Sequence, residues 1–356
     1  MTNQFLRVGI IGCGRRMKTP GATGCGMAHQ HAKGYLALPD AARIVAYCDI
    51  VAENAAAYRD EYGDGTEPIY TGYEQMLARE NLDMVSISTW PHLHAPMVLA
   101  CAEAGVKAVH CEKPMAPTWG EAKRMAAACE ASGTQLTFDH QRRFGQPFRK
   151  AKEILKSGEI GELVRVEASC GNLFDWGTHW FDMSFYYNDD TPAEWVLGQM
   201  EPRGAKLLFG APLETQGISH WKFTNGVHGL LVTGFEAGWN AQNRLVGTDG
   251  VIELEPKGGP TLRVMGKSRA GWREVPVTES LHGPGFIERA IADALDALKT
   301  GREPELSARR ALQSSEVMFA TYESSRRQGR VTLPLDIEDS PLQAWLDANG
   351  VNLAAR

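Results

Sequence analysis

No stretch of the 356-residue sequence approaches the roughly 18 consecutive apolar residues that crossing a bilayer requires. Positive charge is not in excess either. With 37 Lys and Arg against 43 Asp and Glu, the formal charge is -6, so a phosphate backbone finds no electrostatic footprint and no nucleic-acid partner is expected. The small basic group Arg326, Arg327 and Arg330 reads as a solvated helix end. No Cys-x-x-Cys pair occurs. The seven cysteines (Cys13, Cys25, Cys48, Cys101, Cys111, Cys129, Cys170) are an odd number scattered through apolar segments, which excludes a disulfide framework and a thiolate zinc site and leaves reduced, buried thiols. The opening Met1-Thr-Asn-Gln-Phe5 lacks a charged, apolar, cleavable leader, so a cytoplasmic protein is expected. Repeats and low-complexity segments are missing as well, and Gly and Pro stay near average usage, which excludes collagen-like, disordered and coiled-coil chains. What is present is a globular composition of a length that points to two domains.

The first 140 residues alternate short apolar runs with helical patterns, the rhythm of βαβ units around a parallel sheet. Strands are expected over Arg7–Ile11, Arg43–Cys48, Met84–Ser88, Ala108–Cys111 and Gln135–Phe138, with helices over His29–Leu38, Val51–Tyr62, Tyr73–Arg79, His94–Glu103 and Trp119–Ser132. Such a sheet is doubly wound, with a ligand crevice at the carboxyl ends of its strands. After Arg143 the pattern becomes α+β: a helix over Pro147–Lys156, a strand over Leu163–Ser169, an aromatic helix over Thr178–Tyr187, then alternating strands from about Ala193 to Val275. The short gaps between Val227–Phe235, Trp239–Val246 and Gly250–Leu254 predict antiparallel neighbours. Two helices, Gly285–Lys299 and Ser307–Gln328, close this second domain, and the tail from Val331 is free to return to the first. The expected division is a dinucleotide-binding domain over 1–144 and a second domain over 145–356.

After the first strand stands Gly12-Cys13-Gly14, the start of a dinucleotide fingerprint whose third small residue would fall on Met17. A methionine cannot let helix and strand close at that position. If residues 15–25 are an insertion, the motif resumes at Gly26-Met27-Ala28, with Ala28 as the small residue and the helix beginning near Gly26. An independent check supports this register: Asp49 lies 21 residues beyond Ala28 at the end of the second strand, where a carboxylate accepts hydrogen bonds from ribose hydroxyls. Its charge favours NAD over NADP by repelling a 2'-phosphate. Arg15, Arg16 and Lys18 of the insertion would oppose that preference if they folded over the ribose.

Glu112-Lys113-Pro114 follows a strand whose carboxyl end faces the crevice. A partly desolvated Lys113 there would exchange protons with a substrate hydroxyl; the alternative is a solvated loop lysine paired with Glu112. Further on, Asp175, His179, Asp182 and Tyr186 form one polar stripe at helical spacing, on a segment otherwise covered by Trp176, Trp180, Phe181, Met183 and Phe185. The stripe reads either as a carboxylate–imidazole proton-transfer unit or as a helix cap, Asp175, and a satisfied core histidine. His29-x-His31 and His92-x-His94 have ligand-like spacing, but no carboxylate or cysteine is placed by the sequence to complete a set, and no metal is expected.

In order and spacing, Gly12-x-Gly14, Thr89-Trp-Pro91-His-Leu-His94, Glu112-Lys113-Pro114, Arg142-Arg143-Phe144 and Asp175-x-Gly-x-His179-x-x-Asp182 resemble the glucose-fructose oxidoreductase and inositol dehydrogenase (Gfo/Idh/MocA) family. The resemblance spans nearly the whole chain and departs from the family at the loop over 15–25. It implies an α/β protein: a Rossmann domain followed by an α+β domain with a large open, mainly antiparallel sheet used for homodimers or homotetramers. It also implies a catalytic triad of Lys113, Asp175 and His179 at an interdomain cleft, with His179 handling the proton and Lys113 polarising the reacting oxygen. Cofactor contacts would come from Gly12, Gly14, Gly26, Met27, Ala28, Asp49, Thr89, Pro91, His94, Glu112 and Lys113. A sugar, cyclitol or other polyol would be held by Lys113, Gln141, Arg142, Arg143, Asn172, Trp176 and His179, with Trp180 a further aromatic candidate. The implied reaction is hydride transfer between a secondary hydroxyl and nicotinamide. The same motifs also accommodate a glycosidase or lyase that oxidises the sugar transiently, and a dinucleotide-binding protein without turnover.

Overall fold

Strands buried on both faces build the first of two units. The computed structural model describes residues 5–234, 241–267, 270–283 and 285–353. In chain order the first elements are β1 (Leu6–Ile11), α1 (Ala28–Leu36), β2 (Ala42–Cys48), α2 (Ala52–Tyr62), β3 (Ile69–Tyr70), α3 (Tyr73–Arg79), β4 (Met84–Ile87), α4 (Pro91–Glu103), β5 (Ala108–Cys111), α5 (Trp119–Ser132) and β6 (Gln135–Phe138). The six strands are parallel and ordered β3-β2-β1-β4-β5-β6, the doubly wound arrangement the alternation predicts. Every residue of β4 and β5 is buried, which is why these runs read as continuously apolar with little alternation.

A 3-10 turn (Gln141–Phe144) leads into α6 (Gln146–Lys156), β7 (Leu163–Cys170), α7 (Gly177–Tyr187), β8 (Ala193–Glu201), β9 (Lys206–Leu208), β10 (Ala211–Leu213), β11 (Gln216–Phe223) and β12 (His228–Thr233). Then follow β13 (Ala241–Gly247), β14 (Val251–Pro256), β15 (Leu262–Met265), β16 (Arg273–Glu274), α8 (Gly285–Thr300), α9 (Ala308–Arg327), β17 (Val331–Thr332) and α10 (Pro341–Ala348). Nine of these strands form one open sheet, β16-β15-β14-β13-β7-β12-β11-β8-β17, in which β12 and β7 are the one parallel pair and the other neighbours run antiparallel. The expected pairing of the strand near 227–235 with that near 239–246 does not occur. β7 lies between β12 and β13 and takes both partners' edges, whereas β13 and β14 do pair as a hairpin would. Residue 235 of the first expected strand, and residues 239 and 240 of the second, lie outside the described residues.

The compact units are Met1–Ala116, Glu121–Gln141 and Pro284–Arg309 for the first, and Pro117–Gly120, Arg142–Gly283 and Arg310–Arg356 for the second. Helix α8, which the sequence places with the second domain, therefore belongs to the first. Its Ile287, Ile291, Ala294 and Leu295 join the core that Ala28, Ala32 and Tyr35 of α1 begin, and a Cβ on Gly34 would stand 2.6 Å from Ile291 Cδ1. The apolar face of α1 needs this cover, and no element before residue 144 supplies it. The tail groups with the second unit together with Pro117–Gly120 at the start of α5: β17 pairs with β8 at the sheet edge, and the Trp119 indole donates to Leu335 O at 3.0 Å.

Candidate functional site

In the first unit, the turn after β1 has the geometry that dinucleotides use. Gly12 (φ +84°) passes so close to the next strand that a Cβ would meet Ser88 O and Thr89 Cγ2 at 2.7 Å, and Gly14 (φ +58°) has nothing nearer to its Cβ position than Gly12 O at 4.0 Å. One glycine is needed for the turn; the other leaves open space where a side chain would stand. The insertion closes on itself, because the Cβ position of Gly26 lies 2.8 Å from Arg15 O, so the chain returns where it left and α1 begins at Ala28, two residues past Gly26. Asp49 directly follows β2. Its Oδ2 accepts the Gly14 N–H at 2.7 Å and its Oδ1 the Val51 N–H at 2.9 Å, which fixes the carboxylate beside the glycine turn. Arg15 donates to Asn54 Oδ1 and Pro20 O, and Arg16 pairs with Glu61 and Tyr62, so both guanidinium groups are tied to α2 and to their own loop.

The loops after β4 and β5 are fastened to each other by His94, whose Nε2 faces Thr89 O at 3.2 Å and whose Nδ1 faces Pro114 O at 3.0 Å and Met115 O at 3.2 Å. Burial pulls the His94 pKa below its ordinary value despite these acceptors. Glu112 is buried, and its Oε2 accepts the Lys113 N–H at 3.2 Å, so the residue before the lysine shapes the backbone that presents it. The Lys113–Pro114 bond is cis, and Lys113 is half-buried.

In the second unit, α7 lays its aromatic face against the sheet, with Phe181 against Trp221 and Phe185 against Phe223. Asp175 is not its N-cap, a position that Trp176 holds without a side-chain bond; in the turn before the helix the Asn172 Oδ1 accepts the N–H groups of Asp175 at 2.7 Å and Trp176 at 3.2 Å, which commits this oxygen to the backbone. His179 is buried one turn beyond the half-buried Asp175. The lower half of the polar stripe has a different use. Asp182 receives the Arg143 guanidinium through Nε at 2.9 Å and Nη2 at 2.9 Å, and Asp190 stands 2.9 Å from Nη2. Arg143, expected to touch substrate, is thus a fully buried cation neutralised by two carboxylates, and they hold its pKa above the ordinary value despite burial. Arg142 next to it is buried too, yet pairs with no carboxylate among the described residues. Its guanidinium lies over Trp180 at 4.1 Å and Trp176 at 5.3 Å, and its Nη1 has no hydrogen-bond partner there. Burial lowers its pKa to about 10. Trp176 is exposed and Trp180 is buried against Phe148, so of the two only the first keeps a face for a ligand. Gln141 opens the 3-10 turn, half-buried, with no hydrogen-bond partner for its Oε1 among the described residues.

Neither His-x-His pair acts as a chelating pair, because each falls in a helix, where positions i and i+2 face apart. His29 turns to the Tyr62 hydroxyl at 3.0 Å, whereas His31 points inward to Glu112 Oε1 at 3.1 Å. Around His31 the structure gathers two residues that sequence reasoning passed over, His110 in β5 and Asp139 after β6. Their signal was a histidine and a carboxylate at the ends of otherwise apolar strands.

Residues 6–140 match the family described as "Oxidoreductase family, NAD-binding Rossmann fold" (GFO_IDH_MocA). The chain is 30% identical over 249 residues to the 1,5-anhydro-D-fructose reductase of Ensifer adhaerens, a match covering 62% of this chain and 72% of that enzyme. It is 26% identical over 324 residues to the D-apiose dehydrogenase of Paraburkholderia graminis, covering 83% and 84%. Some relatives match over less: the chain covers 36% of an uncharacterised oxidoreductase of Schizosaccharomyces pombe. In fold it is similar to an Agrobacterium radiobacter oxidoreductase solved with NAD+, L-tartaric acid and magnesium, with a TM-score of 0.76 at 20% identity, over 92% of this chain and 98% of that one.

Proposed function

Since the chain belongs to the Gfo/Idh/MocA oxidoreductase family, we propose that it transfers a hydride between a secondary hydroxyl of a sugar, cyclitol or related polyol and a nicotinamide cofactor, with NAD preferred. The observation that carries this reading is the hold of Asp49 on the Gly14 amide. An eleven-residue insertion separates the two halves of the fingerprint, and the ribose-binding carboxylate still meets the glycine turn. Gly14 leaves room for a pyrophosphate, the amides at the start of α1 suit its charge, and Asp49 suits the adenosine ribose while repelling a 2'-phosphate. When bound, the dinucleotide supplies the hydride acceptor or donor.

The chain's own residues do the rest. Lys113 stabilises the negative charge that develops on the substrate oxygen, and His179 takes the hydroxyl proton, kept in position by Asp175. Arg142, rather than Arg143, binds the substrate, because its guanidinium retains an uncommitted N–H; Trp176 offers an aromatic face to ring C–H groups. The test is NADH formation across a panel of sugars, cyclitols and glycosides. Lys113→Ala should lower turnover by at least about 100-fold, the loss typical of removing one charge-stabilising group, with the Kd for NAD changed less than about threefold. A fully active variant would refute the assignment. Stoichiometric NADH supports net oxidation, whereas glycoside cleavage with only catalytic NAD supports the transient-oxidation reaction.

A further inference from the structure

Beneath the carboxyl ends of β4, β5 and β6 lies a cluster that the reaction does not use. His31, His110 and Asp139 are each 0% exposed, and one ligand atom from each falls within 4.8 Å of the others. His31 Nε2 stands 3.7 Å from Asp139 Oδ2 and 3.1 Å from Glu112 Oε1, and His110 Nε2 stands 3.8 Å from Asp139 Oδ1.

The hydrogen bonds around the cluster fix what it lacks. The Thr137 hydroxyl donates to Val109 O at 3.1 Å, so toward His110 Nδ1, 2.9 Å away, it is the acceptor. His110 therefore carries its proton on Nδ1, and Nε2 presents a lone pair to the Asp139 carboxylate, which in its ionised form only accepts. Two acceptors face each other in a dry interior. Neither Asp139 oxygen nor His110 Nε2 has a hydrogen-bond partner among the described residues. A proton on His31 satisfies Glu112 but leaves Asp139 and His110 Nε2 without a donor, and it leaves the two buried carboxylates one positive charge short. On the far side, His31 Nδ1 is held by Ser86 Oγ at 2.7 Å, so both imidazoles are oriented through Nδ1 and turn Nε2 to the same point. That is the outer-shell arrangement of metal-bound histidines.

We propose that this cluster is a structural site for a divalent transition metal of the zinc type, with His31 Nε2, His110 Nε2 and an Asp139 oxygen as its protein ligands. Tetrahedral ligands at about 2.0–2.1 Å from zinc stand roughly 3.4 Å apart; Asp139 stands 3.7 Å from His31 Nε2 through one oxygen and 3.8 Å from His110 Nε2 through the other, close to that spacing. A doubly charged ion offsets the buried Asp139 and Glu112 carboxylates, and two imidazoles with a carboxylate suit zinc or cobalt(II) better than calcium or magnesium. All three ligands are fully buried, so the ion is out of reach of substrate and its work is to hold α1, β5 and the end of β6 together. Glu112, 3.1 Å from His31 Nε2, precedes Lys113, so the ion lies beside the segment that carries the lysine. The site does not depend on the proposed reaction.

The test is metal analysis of the full chain expressed in zinc-supplemented medium and purified without chelators, followed by refolding of stripped protein with cobalt(II). The expectation is about one metal equivalent per chain, a visible absorption band of tetrahedral cobalt, and a Tm higher by roughly 5–10 °C at free metal about 100-fold above Kd. His110→Gln and Asp139→Asn should each lose the metal and the cobalt band; having two variants guards against one that fails to fold. Wild-type protein that folds but takes up neither zinc nor cobalt overturns the proposal. So does metal that both variants retain, since it is then bound elsewhere.

Discussion

Two neighbouring arginines show how far side-chain identity alone falls short. In sequence, Arg142 and Arg143 are equivalent candidates for a substrate ligand. In the structure their guanidinium groups meet different partners, one lying over Trp180 and the other between Asp182 and Asp190. Removing a cation from a buried pair leaves an uncompensated buried charge, so Arg143→Ala should lower unfolding stability by about 3–5 kcal/mol, measured by urea denaturation. Arg142→Ala leaves no such charge. It should keep its Tm within a few degrees while kcat/KM falls by about 10–100-fold, the worth of one charge-assisted hydrogen bond. If the two variants exchange these outcomes, the assignment of roles is wrong.

At the scale of elements, the strands of the first sheet were legible because burial on both faces leaves an uninterrupted apolar run, and the register of the split fingerprint was legible because Asp49 checks Ala28 independently. The excursion over 15–25 is a closed loop, its ends joined at Arg15 and Gly26. Deleting these eleven residues joins Gly14 to Gly26 and restores a compact fingerprint; the variant should fold, stay within about 1 kcal/mol of wild type as loop-length changes usually do, and still bind NAD by calorimetry. A variant that folds but loses NAD would give the loop a direct part in binding. Other elements were not legible. The short gap before β13 suggested a hairpin with β12, but a strand made some 70 residues earlier, β7, occupies the place between them. His110 and Asp139 meet only because β5 and β6 are neighbours, with His110 in register with Thr137. Periodicity shows that a face is apolar or polar; it does not name the partner.

For the whole molecule, the open sheet presents Leu197 and Ile218 to solvent, 47% and 42% exposed, on the same face of neighbouring strands. Exposed apolar side chains at a sheet edge of this kind favour a second copy of the chain. A homodimer or homotetramer is expected by sedimentation equilibrium, and Ile218→Lys should shift it toward monomer; an unchanged mass would place the interface elsewhere. No helix among the described residues is long and apolar enough to cross a membrane. Helix α8 carries the last consequence. Because Ile287 and Ile291 complete the core around α1, a fragment ending at residue 144 lacks one wall of that core. It should bind a hydrophobic dye and melt without a cooperative transition. During synthesis, therefore, the nucleotide-binding half emerges from the ribosome first but cannot finish folding until some 300 residues have been made, and until then it is an unsealed intermediate that chaperones can recognise.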